Sequence, residues 1–458
     1  MIGLHGQLRR PRLDPVPVAL AGAGAVVGAT FAGAAWAVHP LLVPALIAVG
    51  GLIFATLRQP AVGVAAGFLL VPLSNLGLTG QPPWAVTTLW GGFLCVLGLW
   101  RFAPSFGARR MPPITAAIAV NLVVATVAFV AGGAAEGGYP ELRSLATGLL
   151  YFTGIALLVR TPRQILWCLG GVAAAAALVG ALAVRERVTG TVVAQAFFTP
   201  DGALIGRVAA GFGHPNELGG FLVVLMPFVL AGLLLARRGR WAFAAALALG
   251  TFGIYASFSR GALVALVLIP FFFMRGRRVL VLGPILAILL VVATPGLVRE
   301  RFATLTESGS EVATRVDFWV TAVSVWQQQP LLGAGLGRFP EAYAQARVPG
   351  RGFLPGTVSQ PPPHAHNLFL QALSTEGLLG FVALVAILAS AVAVALALRR
   401  RQDRTASVIG TATLAGLAAF ITHNQFDVTL LEGTGIYFWA LLGIAAGAWM
   451  GVTREAET

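Results

Sequence analysis

Apolar runs long enough to cross a bilayer, roughly 20 residues at 1.5 Å rise each, recur from one end of the chain to the other. The pattern predicts helical spans at about 16–37, 41–57, 61–79, 84–100, 112–131, 142–159, 164–184, 217–236, 241–258, 261–274, 279–295, 377–398, 405–423 and 435–452. The stretch 261–274 is short enough for a half-span, so twelve to fourteen crossings are expected. Polar residues collect in the short segments between runs and in two longer ones, 185–216 and 296–366. The 56 glycines and 27 prolines do not argue against helices, because helices packed against helices tolerate both. The fold class expected is all-α, a polytopic transmembrane helical bundle forming one membrane domain over 1–458.

Composition agrees with that reading. Only 10% of residues are charged and the mean hydropathy is +0.83, whereas a soluble chain carries about 25% charged residues. The net charge of +14 would suit nucleic acid, but the distribution of the arginines excludes it. Every basic residue is an arginine, and most lie in short clusters between apolar runs, as topology signals do. With the N-terminus inside, the cytoplasmic clusters are Arg9, Arg10 and Arg12; Arg58; Arg101, Arg109 and Arg110; Arg160 and Arg163; Arg237, Arg238 and Arg240; Arg275, Arg277 and Arg278; Arg399, Arg400, Arg401 and Arg404; and Arg454. Of the 17 acidic residues only Asp14, Asp403, Glu455 and Glu457 fall on that side. The expectation is a multi-pass protein of the cytoplasmic membrane with both termini cytoplasmic. The first apolar run lacks a clear cleavage site and more spans follow it, so no cleavable signal peptide is expected. Cys95 and Cys168 lie within apolar segments and read as packing residues rather than a disulfide or metal framework.

This orientation puts 185–216 and 296–366 outside as extracytoplasmic loops, together with His39, His214, His364, His366 and His423. The stretch PPPHAHNLFLQALSTEGLLGF (361–381) holds His364, His366 and Asn367 just before an apolar run. Asn367 is a good helix N-cap, which would aim the positive end of that helix, and His366 beside it, at an external anion. Arg207 precedes His214 and Asn216 in IGRVAAGFGHPNELGGF, and Arg260 occupies a tight turn in YASFSRGALVAL. Arg315 stands in SEVATRVDFWV, where Val316, Trp319, Val320 and Val323 have the spacing of an amphipathic helix. Gly333, Gly335 and Gly337 in PLLGAGLGRF read first as a tight turn; a phosphate-binding loop would need a strand and helix around it. His364 and His366 have the spacing of metal ligands, with His214 or His423 to complete a site. The outer aspartates Asp201, Asp317 and Asp427 are unpaired in the sequence, however, and no metal is expected. Arginines beside a histidine at a helix start point to an anionic, phosphate-bearing ligand, because the guanidinium fork donates two bonds to phosphate and stays charged.

HAHNLFLQALSTEGLLGF, preceded by RVDFW and PLLGAGLGRF, together with SFSRGALVA, resembles the O-antigen ligase and polymerase superfamily of polytopic glycosyltransferases, over about Arg207 to Phe381. The resemblance implies transfer of a glycan from an undecaprenyl-diphosphate donor to an acceptor hydroxyl outside the cytoplasm, with no metal, cofactor or nucleotide sugar. It implies that Arg260 and Arg315, with Arg207 as a third, bind the donor diphosphate, and that His366 acts on the acceptor. Whether Arg207 or Arg260 matches the family's first essential arginine stays open. His364, Asn367, Glu376, His214 and Asn216 are expected to support the site, Glu376 chiefly as a solvated helix-terminal group. The implied partners are the lipid-linked donor, a glycan, lipid or protein acceptor, and membrane lipids. A polymerase of the same superfamily would share these motifs and use another lipid-linked repeat as acceptor. A transporter would carry charge near the bilayer midplane, and charge within these spans is nearly absent.

Overall fold

The computed structural model describes residues 42–75, 83–102, 111–191, 195–198, 204–274, 296, 311–346, 362–431 and 434–455. The spans expected at 16–37 and 279–295 lie outside these residues, as do parts of the long segment 296–366. Two units are distinguished, Met1–Gln59 and Pro60–Thr458. In the first, α1 (Leu42–Arg58) is an apolar helix closing on Arg58.

The second unit is a helical bundle. Its elements are α2 (Pro60–Asn75), α3 (Pro83–Phe102), α4 (Pro113–Ala131), α5 (Gly138–Leu158), α6 (Pro162–Thr189), the strands β1 (Gln195–Phe198) and β2 (Leu204–Arg207), α7 (Pro215–Leu235), α8 (Arg240–Ser257), α9 (Arg260–Phe273), α10 (Glu311–Gln328), α11 (Phe339–Ala346), α12 (Leu368–Arg399), α13 (Arg404–His423) and α14 (Gly435–Glu455). Among the described residues, seven helices are long and apolar enough to cross a membrane: α3, α4, α6, α7, α12, α13 and α14. The protein is a polytopic helical membrane bundle, as the apolar pattern indicated. Helix α9 has 14 residues, too few for a full crossing, as its short apolar run suggested.

Local chemistry sets the boundaries. Thr161 and Gln164 form a reciprocal cap on α6, with Gln164 N–H donating to Thr161 Oγ1 (3.3 Å) and Thr161 N–H to Gln164 Oε1 (3.0 Å). Pro162 occupies the first turn, where a missing N–H costs nothing. Asp403 caps α13 by accepting from Ala406 N–H at 2.7 Å. The most deeply buried spans are α7, α13 and α14. Helix α13 packs on α7, α9, α12 and α14, while α14 lies along α5 and α10 along α12. Cys95 and Cys168 are buried and free, in agreement with a packing role. Apolar side chains such as Leu89, Val96, Val120 and Val123 face outward on α3 and α4, as a surface solvated by lipid permits.

Two features depart from the apolar pattern. Helix α6 runs on to Thr189, and a short antiparallel hairpin follows it, pairing Gln195 with Arg207 and Phe198 with Leu204. Glu186 fastens the chain after the hairpin by accepting from the backbone N–H groups of Ala209 (3.1 Å) and Ala210 (2.6 Å). Helix α12 begins at Leu368, nine residues before the predicted span, and is interrupted at Gly377 (φ 68°, ψ −163°), a conformation that is essentially glycine-only.

That interruption explains the glycine-rich stretch. The helical bonds that Leu378 and Leu379 would donate to Ser374 and Thr375 are replaced by bonds to a neighbouring loop. Leu378 N–H donates to Pro330 O (2.8 Å) and Leu379 N–H to Leu331 O (3.3 Å). In return Ser374 O accepts from Ala334 N–H (2.8 Å) and Thr375 O from Gly335 N–H (2.9 Å). A loop of backbone thus stands in for one turn of helix, so these four backbone groups of α12 stay paired in the apolar interior. The tight-turn reading of Gly333, Gly335 and Gly337 holds: all three have positive φ, and the amides of 334 and 335 serve α12. A Cβ at Gly377 would lie 2.3 Å from the Leu331 carbonyl. Gly377→Ala is therefore expected to lose at least about 1–3 kcal/mol from backbone strain alone, read as a lowered unfolding temperature in detergent. An unchanged midpoint would contradict this account of the break.

Candidate active site

The corner Pro362–Leu368 is held from both sides. Asn367 caps α12, its Oδ1 accepting from Phe369 N–H (3.0 Å) and Leu370 N–H (3.1 Å). Its Nδ2 donates to Gln425 O at 3.1 Å, and Leu368 N–H donates to Asn424 O at 2.9 Å. Ala365 N–H reaches Gln371 Oε1 at 2.9 Å, and His366 N–H reaches His364 Nδ1 at 3.3 Å. These bonds fix His366 at φ 50°, in a region costing a non-glycine residue on the order of 1–3 kcal/mol, of the kind that gathers at functional sites. The His366 ring stacks on Phe318 of α10 (centroids 5.6 Å apart, 20° between planes) and meets His364 edge-on (4.2 Å, 62°).

The second wall is the turn after α13. Asn424, fully buried, donates from Nδ2 to Phe420 O (2.9 Å) and accepts at Oδ1 from Thr429 N–H (2.8 Å) and Thr429 Oγ1 (3.1 Å). Arg315 of α10 donates to the Phe426 carbonyl. Asp427 is 4% exposed and its Oδ1 accepts from Val428 N–H at 3.0 Å. The same oxygen stands 3.5 Å from His366 Nδ1, a long contact of the kind that tightens when a reactant binds. Asp427 was unpaired in sequence; folding pairs it with the histidine.

Charge follows from these contacts. Burial alone would raise the Asp427 carboxyl, but the His366 contact and the adjacent His423 and His364 outweigh it and hold the group well below the usual carboxylate range. Burial lowers His366, with His364 and Arg315 acting the same way and Asp427 opposing. Burial likewise lowers His364. His214 is pushed down to about 4 by burial first and Arg207 next. Near neutral pH the site therefore holds an anionic carboxylate beside neutral imidazoles. His214 Nδ1 accepts from Asn216 N–H at 3.0 Å, so its proton sits on Nε2 and the ring serves as a donor.

The three arginines fall into different settings. Arg207 is 2% exposed and donates to Ser257 O (Nε, 2.9 Å), Gln195 Oε1 (Nη1, 3.1 Å) and Asn216 Oδ1 (Nη2, 2.6 Å). It ties the hairpin to the end of α8 and the start of α7, and it engages Asn216 in doing so. Arg260 is the first residue of α9, half-buried, and its neighbour Gly261 lies against the His423 ring. Arg315 is half-buried, with its charge acting on His214, His364, His366 and His423. The apolar face foreseen for α10 is partly outward, Val316 and Val320 being exposed, while Asp317, Phe318, Thr321, Ala322 and Val325 face the protein.

The structure thus gathers His214, His364, His366, Asn367 and Arg315 around Asp427, with Arg260 adjoining through Gly261 and His423. Glu376 stands apart. It lies at the break in α12, 4% exposed, with the carboxyl of Glu141 on α5 as its titratable neighbour. It is a buried group rather than a solvated helix end, because the helix starts a turn and more earlier than the apolar run suggested. His364, His366 and Asp427 also present possible metal-ligand atoms within 4.8 Å of one another. Two observations weigh against an ion there. His364 Nδ1 already accepts from His366 N–H, and the Arg315 cation shares the cluster.

Residues 245–385 match a family model described as O-antigen ligase. The resemblance read from the sequence holds over this stretch, which contains Arg260, Arg315, His364, His366, Asn367 and Glu376. Arg207, His214, Asn216, His423 and Asp427 lie beyond it. No curated protein matches the chain.

Proposed function

We propose that this chain is a metal-independent glycosyltransferase of the O-antigen ligase type. It moves a glycan from an undecaprenyl-diphosphate donor to an acceptor hydroxyl on the outer side of the cytoplasmic membrane. The observation that carries the reading is the His366–Asp427 contact with Arg315 alongside, within a bundle whose matched segment is ligase-like. The alternation of arginine clusters supports placing both termini in the cytoplasm and segment 296–366 outside.

In this mechanism His366 accepts the proton of the acceptor hydroxyl at Nε2, while Nδ1–H faces Asp427. The acceptor oxygen forms the new bond to the anomeric carbon as the bond to the diphosphate oxygen breaks. The leaving diphosphate takes the electron pair, and its growing charge is met by Arg260 and Arg315. Asp427 keeps the imidazole in the useful tautomer and stabilises the imidazolium that forms, the part a buried aspartate plays in hydrolytic triads. Proton transfer of this kind contributes about 10²–10⁴ in rate. Whether the acceptor is a different molecule or another lipid-linked repeat separates a ligase from a polymerase, and both would use the same site.

The pH dependence tests the assignment. His366 must be neutral to take a proton, and its pKa is lowered, so reconstituted transfer should persist below pH 6.5 and fall only as pH drops through the lowered value. Asp427 raises that value, so Asp427→Asn should move the acid limb to still lower pH while reducing the maximal rate at least about 10²-fold. An acid limb that is unmoved in Asp427→Asn, at near wild-type rate, would remove Asp427 from the mechanism.

A further inference from the structure

Two aromatic rings beside the site have no part in that mechanism. Trp319 of α10 and Phe426, in the turn after α13, meet with centroids 6.3 Å apart and 43° between planes. Trp319 packs on the cluster of Phe318 and Ala365 that backs the His366 ring. Phe426 stands between the charged groups of the site: its carbonyl accepts from Arg315, and the next residue is Asp427, whose Oδ1 is 3.5 Å from His366 Nδ1. The region is open among the described residues, with the His366 side chain 23% and Phe426 42% exposed. Gln425 adjoins the rings as a polar rim, its Oε1 3.4 Å from Asn367 Nδ2.

Anchoring in the membrane interface does not explain the pair. An interfacial tryptophan keeps its N–H in water, whereas Trp319 Nε1 is shut off from solvent and has no hydrogen-bond partner among the described residues. A pure packing role would leave Phe426 covered. What the two side chains offer is the face of their rings, and that suits a sugar. One side of a pyranose is a patch of C–H groups with slight positive charge, which rests on the negative face of an aromatic ring, while its hydroxyls turn to amides at the edge.

We infer that Trp319 and Phe426 form a stacking subsite for the sugar joined to the donor diphosphate. A diphosphate on Arg315 puts its sugar between that guanidinium and His366, where the rings lie. The subsite separates donor from product. Once freed of its sugar, the spent lipid diphosphate gains a further ionisable oxygen, so guanidiniums alone would hold it at least as tightly as the donor. A face for the sugar restores the donor's advantage and lets the spent lipid leave. The inference rests on the transferase reading above.

The test uses the full-length protein in proteoliposomes without acceptor, so that binding is scored apart from transfer. It compares undecaprenyl diphosphate carrying one hexosamine with the methyl ester of the same lipid diphosphate, which has equal charge and no sugar. Wild-type protein should bind the sugar-bearing lipid about 10-fold more tightly, and Phe426→Leu and Trp319→Leu should each cut that preference by about 3–10-fold. Arg315 bonds the carbonyl of Phe426 rather than its ring, so the loss should be confined to the sugar-bearing lipid. Phe426→Tyr, which keeps an aromatic face, should keep the preference. The exposed Phe426 decides the matter even if Trp319→Leu does not fold. Wild-type protein that binds both lipids alike, Phe426→Leu with the full preference, or Phe426→Tyr as impaired as leucine would each overturn the subsite and leave the transferase reading in place. Wild-type protein that binds neither lipid would overturn that reading, and this inference with it.

Discussion

His366→Ala should leave donor binding nearly intact while lowering glycan transfer by about 10²–10⁴. The separation follows from where the ring sits. It stacks on Phe318, faces Asp427 with Nδ1, and is left with one nitrogen for a reactant. The diphosphate, by contrast, is assigned to guanidiniums on other helices. His364→Ala should be milder, since His364 chiefly accepts from the His366 backbone and so shapes the corner. Binding of a labelled lipid-diphosphate donor and product formation, scored separately for each variant, check this. Near wild-type transfer by His366→Ala would leave the corner as nothing more than a capped helix start.

Arg260→Ala and Arg315→Ala should behave the other way, each weakening donor binding and slowing transfer by about 10²–10³, the usual effect of removing one fixed donor from a developing anion. The diphosphate is charged before reaction and more charged at the leaving oxygen during it, so both binding and rate respond. Lysine at either position should recover only part of the loss, because a point charge replaces a two-pronged planar donor. Arg207→Ala should differ in kind. Its guanidinium is buried and bonded to Ser257, Gln195 and Asn216, so the loss should show as a lowered unfolding temperature that accompanies any loss of activity. Arg260→Ala or Arg315→Ala protein with wild-type donor affinity would contradict the diphosphate assignment.

The bundle was legible because lipid-facing helices repeat one signal, a long apolar run closed by arginine, that tertiary contacts do not overwrite. The helix start at Asn367 was legible for a local reason too, since a cap acts within three residues. Asp427 was not legible as a partner of His366, because the two are 61 positions apart in sequence and meet only through the bonds from Asn367 and Leu368 to the turn at Asn424 and Gln425. The break at Gly377 was hidden for a similar reason: STEGLLGF reads as continuous helix until the loop from Pro330 supplies the missing backbone bonds. Arg207 looked like Arg260 and Arg315 in sequence, and its burial at the end of β2, with bonds to Ser257, Gln195 and Asn216, distinguishes it.

The central claim is that arginines and a histidine–aspartate pair perform glycan transfer with no metal ion. It is tested most directly by purified protein in proteoliposomes with an undecaprenyl-diphosphate-linked glycan, an acceptor and excess EDTA. The account predicts product formation at the rate seen without chelator, together with release of the free lipid diphosphate. Loss of transfer in EDTA, restored by a divalent ion, would contradict it and assign His364, His366 and Asp427 to a metal instead.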